Sequence, residues 1–202
     1  MKADSQIAKK MIDAGEQLYS KGMVPATSGN FSARLPDGNI AITVSGAHKG
    51  RLTLDDIMCI DHLGNSLDGR KPSAETLLHT AIYQRYQSAN VVLHPHSVNA
   101  TVLSRISRDW LMLEDYEIVK AFSGIETHEH CLKVPVFDND QDIARLSKKA
   151  DETLATLDHA FGYLIRGHGF YTWGDSMNDV LRHVEAFEFL FECELMLKRI
   201  KE

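Results

Sequence analysis

Ile7, Met11, Ala14 and Leu18 fall on one face of a helix that Asp4-Ser5 can cap and Gly22 can stop. Shorter apolar runs with strand character follow. Phe31 to Arg34 and Ile40 to Val44 flank the turn Pro36-Asp37-Gly38 and predict a hairpin; Ile57 to Asp61 predicts a further strand, closed by Gly64-Asn65. Ser73 is placed to cap a helix over Ala74 to Gln87, with Leu77, Leu78, Ala81 and Ile82 turned inward. A strand through Val91-Val92-Leu93 then runs into His94-Pro95-His96. Val98 to Ile106 and Ile143 to Leu157 read as helices, and Val134-Pro135-Val136 as a short strand. Phe161 to Ile165 and Phe170 to Trp173 read as two strands around Gly167-His168-Gly169, whereas Glu117 to Phe122 fits neither period.

The chain closes with a helix over Ser176 to Ile200 that carries two apolar stripes. Met177, Val180, Leu181, Val184, Phe187 and Phe191 form one, and Phe189, Leu190, Cys193 and Leu197 the other. A helix apolar this far round needs two partners, through deep burial or a subunit contact. Together the elements predict an α/β or α+β sheet covered by helices.

The most informative chemistry is His94-Pro95-His96. In an extended strand, side chains two apart share a face, so both imidazoles can converge on one metal ion, and the donor-less proline fits a strand end. A third candidate ligand, His168, again follows directly on an apolar run. Three imidazoles with one position open is the make-up of a catalytic rather than a structural zinc site, although 72 residues of separation do not by themselves pair His168 with the other two.

Composition narrows the class. At 202 residues, with 44% hydrophobic and 25% charged residues, the chain suits one globular domain. A net charge of −6 argues against a nucleic-acid partner, so an anionic substrate must be held by a local site. Cys59, Cys131 and Cys193 lack metal or disulfide spacing, which fits a reducing cytoplasm. The polar stretch Met1 to Lys10 and the lack of an apolar run of about 18 residues predict neither a signal segment nor a membrane partner.

Two loops combine hydroxyls with a glycine that lets backbone N–H groups approach an anion: Thr27-Ser28-Gly29-Asn30 and Thr43-Val44-Ser45-Gly46, the second followed by Lys49 and Arg51. Each also reads as an ordinary turn, and Ser73 as a plain helix cap. Glu75 suits the first turn of a helix electrostatically. Glu117, between apolar residues, is expected to be partly desolvated with a raised pKa suited to proton transfer. His128-Glu129-His130 reads as a solvated loop, and His48, His62, His79, His159 and His183 have no evident partner.

Taken in order, Thr27-Ser28-Gly29-Asn30-Phe31-Ser32, Ser45-Gly46, Lys71-Pro72-Ser73-Ala74-Glu75, His94-Pro95-His96-Ser97 and His168-Gly169 resemble the class II aldolase family. The resemblance implies an α/β fold in one domain over residues 1–202, with a central, mostly antiparallel sheet covered by helices on both faces. It also implies a homotetramer with active sites at subunit interfaces. One Zn²⁺ per subunit would be held by His94, His96 and His168, with Glu75 beside it, while Asn30, Ser45, Gly46 and Ser73 hold a sugar phosphate. Val24-Pro25-Ala26-Thr27-Ser28-Gly29-Asn30-Phe31-Ser32 and Arg166-Gly167-His168-Gly169-Phe170-Tyr171-Thr172-Trp173-Gly174 look like a dehydratase branch of the family. In that branch Glu117 of Glu117-Ile118-Val119-Lys120 is the implied acid/base, with Glu75 as a second catalytic carboxylate and Lys120 as a substrate contact. A sugar-phosphate aldolase or a pentulose-phosphate 4-epimerase remains the alternative, and a non-catalytic assembly domain of the adducin kind is a reading from another class.

Overall fold

The computed structural model describes residues 4–201, so Met1 to Ala3 of the polar amino-terminal stretch lie outside the described residues. The first helix, α1 (Ser5–Ser20), is capped by the Asp4 carboxylate, which accepts from the backbone of Gln6 and Ile7, and it buries Met11, Ala14 and Leu18 as the spacing predicts. Eight strands follow: β1 (Asn30–Arg34), β2 (Ile40–Thr43), β3 (Ile57–Ile60), β4 (Val91–His94), β5 (Trp110–Leu113), β6 (Leu132–Phe137), β7 (Gly162–Ile165) and β8 (Gly169–Gly174). They form one sheet in the order β3-β2-β1-β4-β8-β7-β6-β5, and every pair is antiparallel except β6 with β7. The fold is therefore α/β with a mostly antiparallel sheet.

Alternation along the strands builds a core on each face. Phe31, Leu93 and Phe170 join α1, α3 (Val98–Ile106) and α5 (Met177–Lys201), whose Phe187 and Phe191 complete that layer. Val92, Tyr163 and Tyr171 point the other way, onto α2 (Thr76–Arg85) and α4 (Ile143–Leu154) through Leu78, Ile82 and Leu146.

Two elements depart from the sequence reading, and a third resolves a segment it left open. Helix α2 starts at Thr76, with Glu75 in the capping position but making no cap bond, because the Glu75 carboxylate is engaged elsewhere. Its inward face is Leu78, His79, Ile82 and Tyr83, whereas Leu77 is 39% exposed, since a buried histidine is invisible to a count of apolar spacing. Strand β5 has no counterpart in that reading; Trp110 and Met112 face outward and Leu111 and Leu113 inward, so an alternating strand is written entirely in apolar letters. Glu117–Ala121 forms a short 3-10 turn. On α5 the first stripe is buried apart from a half-buried Leu181, while Phe189 and Leu197 of the second stripe are exposed on this chain. Among the described residues no helix is long and apolar enough to cross a membrane.

Candidate metal centre

The middle of the sheet brings the conspicuous residues together. β1 lies beside β4 with Asn30 opposite His94, and the turn from β7 into β8 carries His168 to the same end of the sheet. His96, two residues beyond β4, is fixed by its backbone N–H donating to the Met23 carbonyl at 2.8 Å. Helix α3 grips the turn: Thr101 donates its hydroxyl proton to the His168 carbonyl at 3.0 Å, and the Gly167 N–H donates to Ser104 at 2.9 Å.

Two glycines let the backbones close up. Gly29 has φ +75°, and a Cβ there would stand 2.6 Å from the His94 carbonyl oxygen. At Gly169 a Cβ would come within 2.3 Å of the Pro95 oxygen and 3.1 Å of the His96 ring. Gly169→Ala is therefore expected to push β8 off the histidine strand, with a stability loss of about 1–3 kcal/mol seen as a lower thermal midpoint, and with weakened divalent-metal binding by titration.

One ligand atom from each of Glu75, His94, His96 and His168 can be chosen so that all four lie within 4.8 Å of one another. His94 is fully buried, and its Nδ1–H donates to the Phe170 carbonyl at 2.8 Å, which fixes the tautomer and turns the Nε2 lone pair into the cluster. The Glu75 carboxylate bridges two rings, Oε2 at 3.4 Å from His94 Nε2 and Oε1 at 3.4 Å from His168 Nε2. Ligands about 2.1 Å from a tetrahedral ion stand about 3.4 Å apart, so these separations fit a common metal. The Nε2 atoms of His94 and His96 are 2.8 Å apart, and two lone pairs this close need a proton or a cation between them. Burial above all, then the neighbouring His168, holds His94 well below its ordinary pKa; burial and then His94 push His96 down to about 2. Neutral imidazoles are the form that ligates a metal. The donor set thus suits a divalent cation.

Around this cluster, Asn30 Nδ2 donates to Glu75 Oε2 at 2.6 Å and lies 3.4 Å from the Ser73 hydroxyl. The second glycine loop is brought alongside by a bridge between Val44 and Pro72; Ser45 and Gly46 are exposed there, with open space at the Gly46 Cα. Asn30 and Ser73 therefore adjoin Glu75 of the cluster, and the Ser45-Gly46 loop lies next to the Pro72-Ser73 segment. Lys49 ties the loops together, since its buried ammonium donates to the Thr27 carbonyl at 3.0 Å and to that of Ala47. Burial lowers its pKa to about 8, against the opposing pull of Asp56 and Glu75. The sequence marks Lys49 only as a charge beside a loop and gives no signal for Tyr171, whose ring stacks on His94 at 4.0 Å.

Glu117 and Lys120 are not part of this constellation within one chain. The expectation that apolar neighbours desolvate Glu117 is corrected: the 3-10 turn sends Val119 inward and leaves the Glu117 side chain 74% exposed, paired with Lys120 at 2.6 Å. That hydrogen bond from Lys120 holds the carboxyl below its ordinary pKa instead of above it.

Comparison with known proteins agrees along nearly the whole chain. The family model for the class II aldolase and adducin N-terminal domain matches residues 9–195. The methylthioribulose-1-phosphate dehydratase of Methylococcus capsulatus is 59% identical over 194 residues, covering 96% of this chain and 95% of that one. The protein of the same name from Pseudomonas aeruginosa is 59% identical over 192 residues, covering 94% of each. Among solved structures, L-fuculose-1-phosphate aldolase from Thermus thermophilus superposes with a TM-score of 0.76 at 26% identity, covering 98% of this chain and 95% of that one.

Proposed function

The chain belongs to the class II aldolase and adducin N-terminal domain family, and we propose that it is a zinc-dependent methylthioribulose-1-phosphate dehydratase of methionine salvage. It is a carbon–oxygen lyase, converting 5-methylthioribulose 1-phosphate to 2,3-diketo-5-methylthiopentyl 1-phosphate and water. The observation that carries this reading is the convergence of three imidazoles and a carboxylate in a chain 59% identical, over 96% of its length, to a protein of that name. The enzyme is proposed to work in the cytoplasm as a homotetramer, a state supported by the exposed Phe189 and Leu197 of α5 and Val98 and Val102 of α3.

His94, His96 and His168 would hold the metal and leave a coordination position for the substrate. The ion supplies Lewis acidity there, polarising the ketose carbonyl so that the neighbouring C–H becomes acidic. Asn30, Ser73 and the Ser45-Gly46 loop hold the phosphate end, with Lys49 keeping the two loops in register. Lys120 is proposed as a further substrate contact. A proton leaves C3, the hydroxyl on C4 departs as water with a donated proton, and the resulting enol becomes the second ketone. Glu117 is the proposed acid/base for these transfers, with Glu75 as the second carboxylate at the centre. Because Glu117 is on the surface of its own chain, this role requires that it serve the site of a neighbouring subunit in the proposed tetramer.

The test is to incubate metal-loaded protein with 5-methylthioribulose 1-phosphate, beside fuculose and ribulose phosphates. Loss of water from the first, with the others left intact, is the expected result. Cleavage to an aldehyde and dihydroxyacetone phosphate without dehydration would overturn the assignment.

A further inference from the structure

The site described above uses Asn30 and Glu75 but not what lies behind them. His79 on α2 is completely buried, with its Nδ1 at 2.7 Å from the Ser32 hydroxyl and its Nε2 in short contact with Asn30 Oδ1. The Ser32 hydroxyl is in turn 2.8 Å from that of Tyr83, which is also buried. These contacts form one unbroken line from Tyr83 through Ser32, His79 and Asn30 to Glu75 Oε2.

The direction of every bond follows from the last. A carboxylate oxygen only accepts, so Asn30 must turn its NH₂ toward Glu75 and leave its carbonyl oxygen toward His79. That oxygen also only accepts, so His79 carries its proton on Nε2. Burial pushes the His79 pKa down to about 3, so the ring is neutral and Nδ1 is an acceptor. Ser32 therefore donates to Nδ1 and receives the Tyr83 proton. Reversing His79 to the other tautomer would turn the Asn30 amide over and set its oxygen against the Glu75 carboxylate.

We propose that His79 is a positioning residue, the central link of a one-way hydrogen-bond chain Tyr83–Ser32–His79–Asn30–Glu75 that fixes how Glu75 faces the histidine cluster. The proposal rests on reading that cluster as the reacting centre. It gives a purpose to a polar face of α2 that would otherwise cost stability to bury.

Three measurements test it. Long-range ¹H–¹⁵N correlation spectra of the intact protein, with the His79 signals identified by their loss in H79Q, should show a neutral ring protonated on Nε2 across neutral pH. His79→Leu should lower kcat by about 10- to 100-fold with little change in KM, and should weaken zinc binding, as expected when an outer hydrogen-bond partner is lost. His79→Gln, whose amide N–H can still donate to Asn30, should recover most of that loss. If H79L does not fold, Ser32→Ala removes the partner of Nδ1 while Asn30 still holds the proton on Nε2, so an unchanged tautomer and a severalfold lower kcat are expected. The proposal is overturned by a ring protonated on Nδ1, by a folded H79L turning over within a few-fold of the parent, by H79Q as impaired as H79L, or by S32A matching the parent in kcat. A parent inactive on the sugar phosphate would sink the functional reading instead, and the tautomer and the zinc affinity of H79L would still decide this one.

Discussion

Replacing His94, His96 or His168 by Ala is expected to cut divalent-metal affinity by more than about 100-fold, beyond what loss of an outer hydrogen-bond partner costs, and to abolish dehydration with it. The parent should carry about one ion per chain by elemental analysis. The three variants should differ in stability. His94 is fully buried and its Nδ1–H satisfies the Phe170 carbonyl, so H94A leaves a buried acceptor unpaired at a cost of about 1–3 kcal/mol. The His168 side chain is 20% exposed, so H168A should lose the metal with a smaller fall in thermal midpoint. Full metal content in all three variants would remove the proposed centre.

Glu117→Gln separates chemistry from binding. The substitution keeps the shape of the side chain and removes its titratable proton, so dehydration should fall by about 100-fold or more while metal content and assembly persist. On its own chain Glu117 is paired with Lys120 at the surface, so unfolding is not a route by which this variant should lose activity. Turnover, metal content, thermal midpoint and sedimentation on one preparation decide the matter. Near-normal turnover by a stable, metal-loaded Gln variant, or full activity in a protein that sediments as a monomer, would take Glu117 out of the mechanism.

The parts of this molecule that alternate or repeat cleanly are readable from sequence. The first helix, the hairpin of β1 and β2, and the shared face of His94 and His96 all follow from a period of 3.6 or 2. What is hidden has specific causes. Strand β5 mixes exposed and buried positions but uses only Trp, Leu and Met, so no period appears. His79 carries a charge-capable side chain on a face that packs inward, and only its partners Ser32 and Asn30, far away in sequence, explain it. His168 joins the cluster through strand order, which spacing cannot give; there the family resemblance is needed. Glu117 illustrates the opposite error, since apolar neighbours in sequence do not bury a side chain when the turn points it outward.

Glu75 and His168 stand 93 positions apart, and the four candidate ligands arrive on the approach to α2, the end of β4 and the β7–β8 turn. No local segment of the chain can assemble them; they meet only after β8 has docked on β4 at the centre of the sheet. An ion bound by that arrangement recognises the native state and not the unfolded chain. By mass action it then stabilises the whole fold, by about 2.7 kcal/mol when free metal is 100 times its dissociation constant. Metal supply would in this way govern how long the protein persists as well as how fast it works, so that a cell short of the ion would lose enzyme by unfolding and proteolysis.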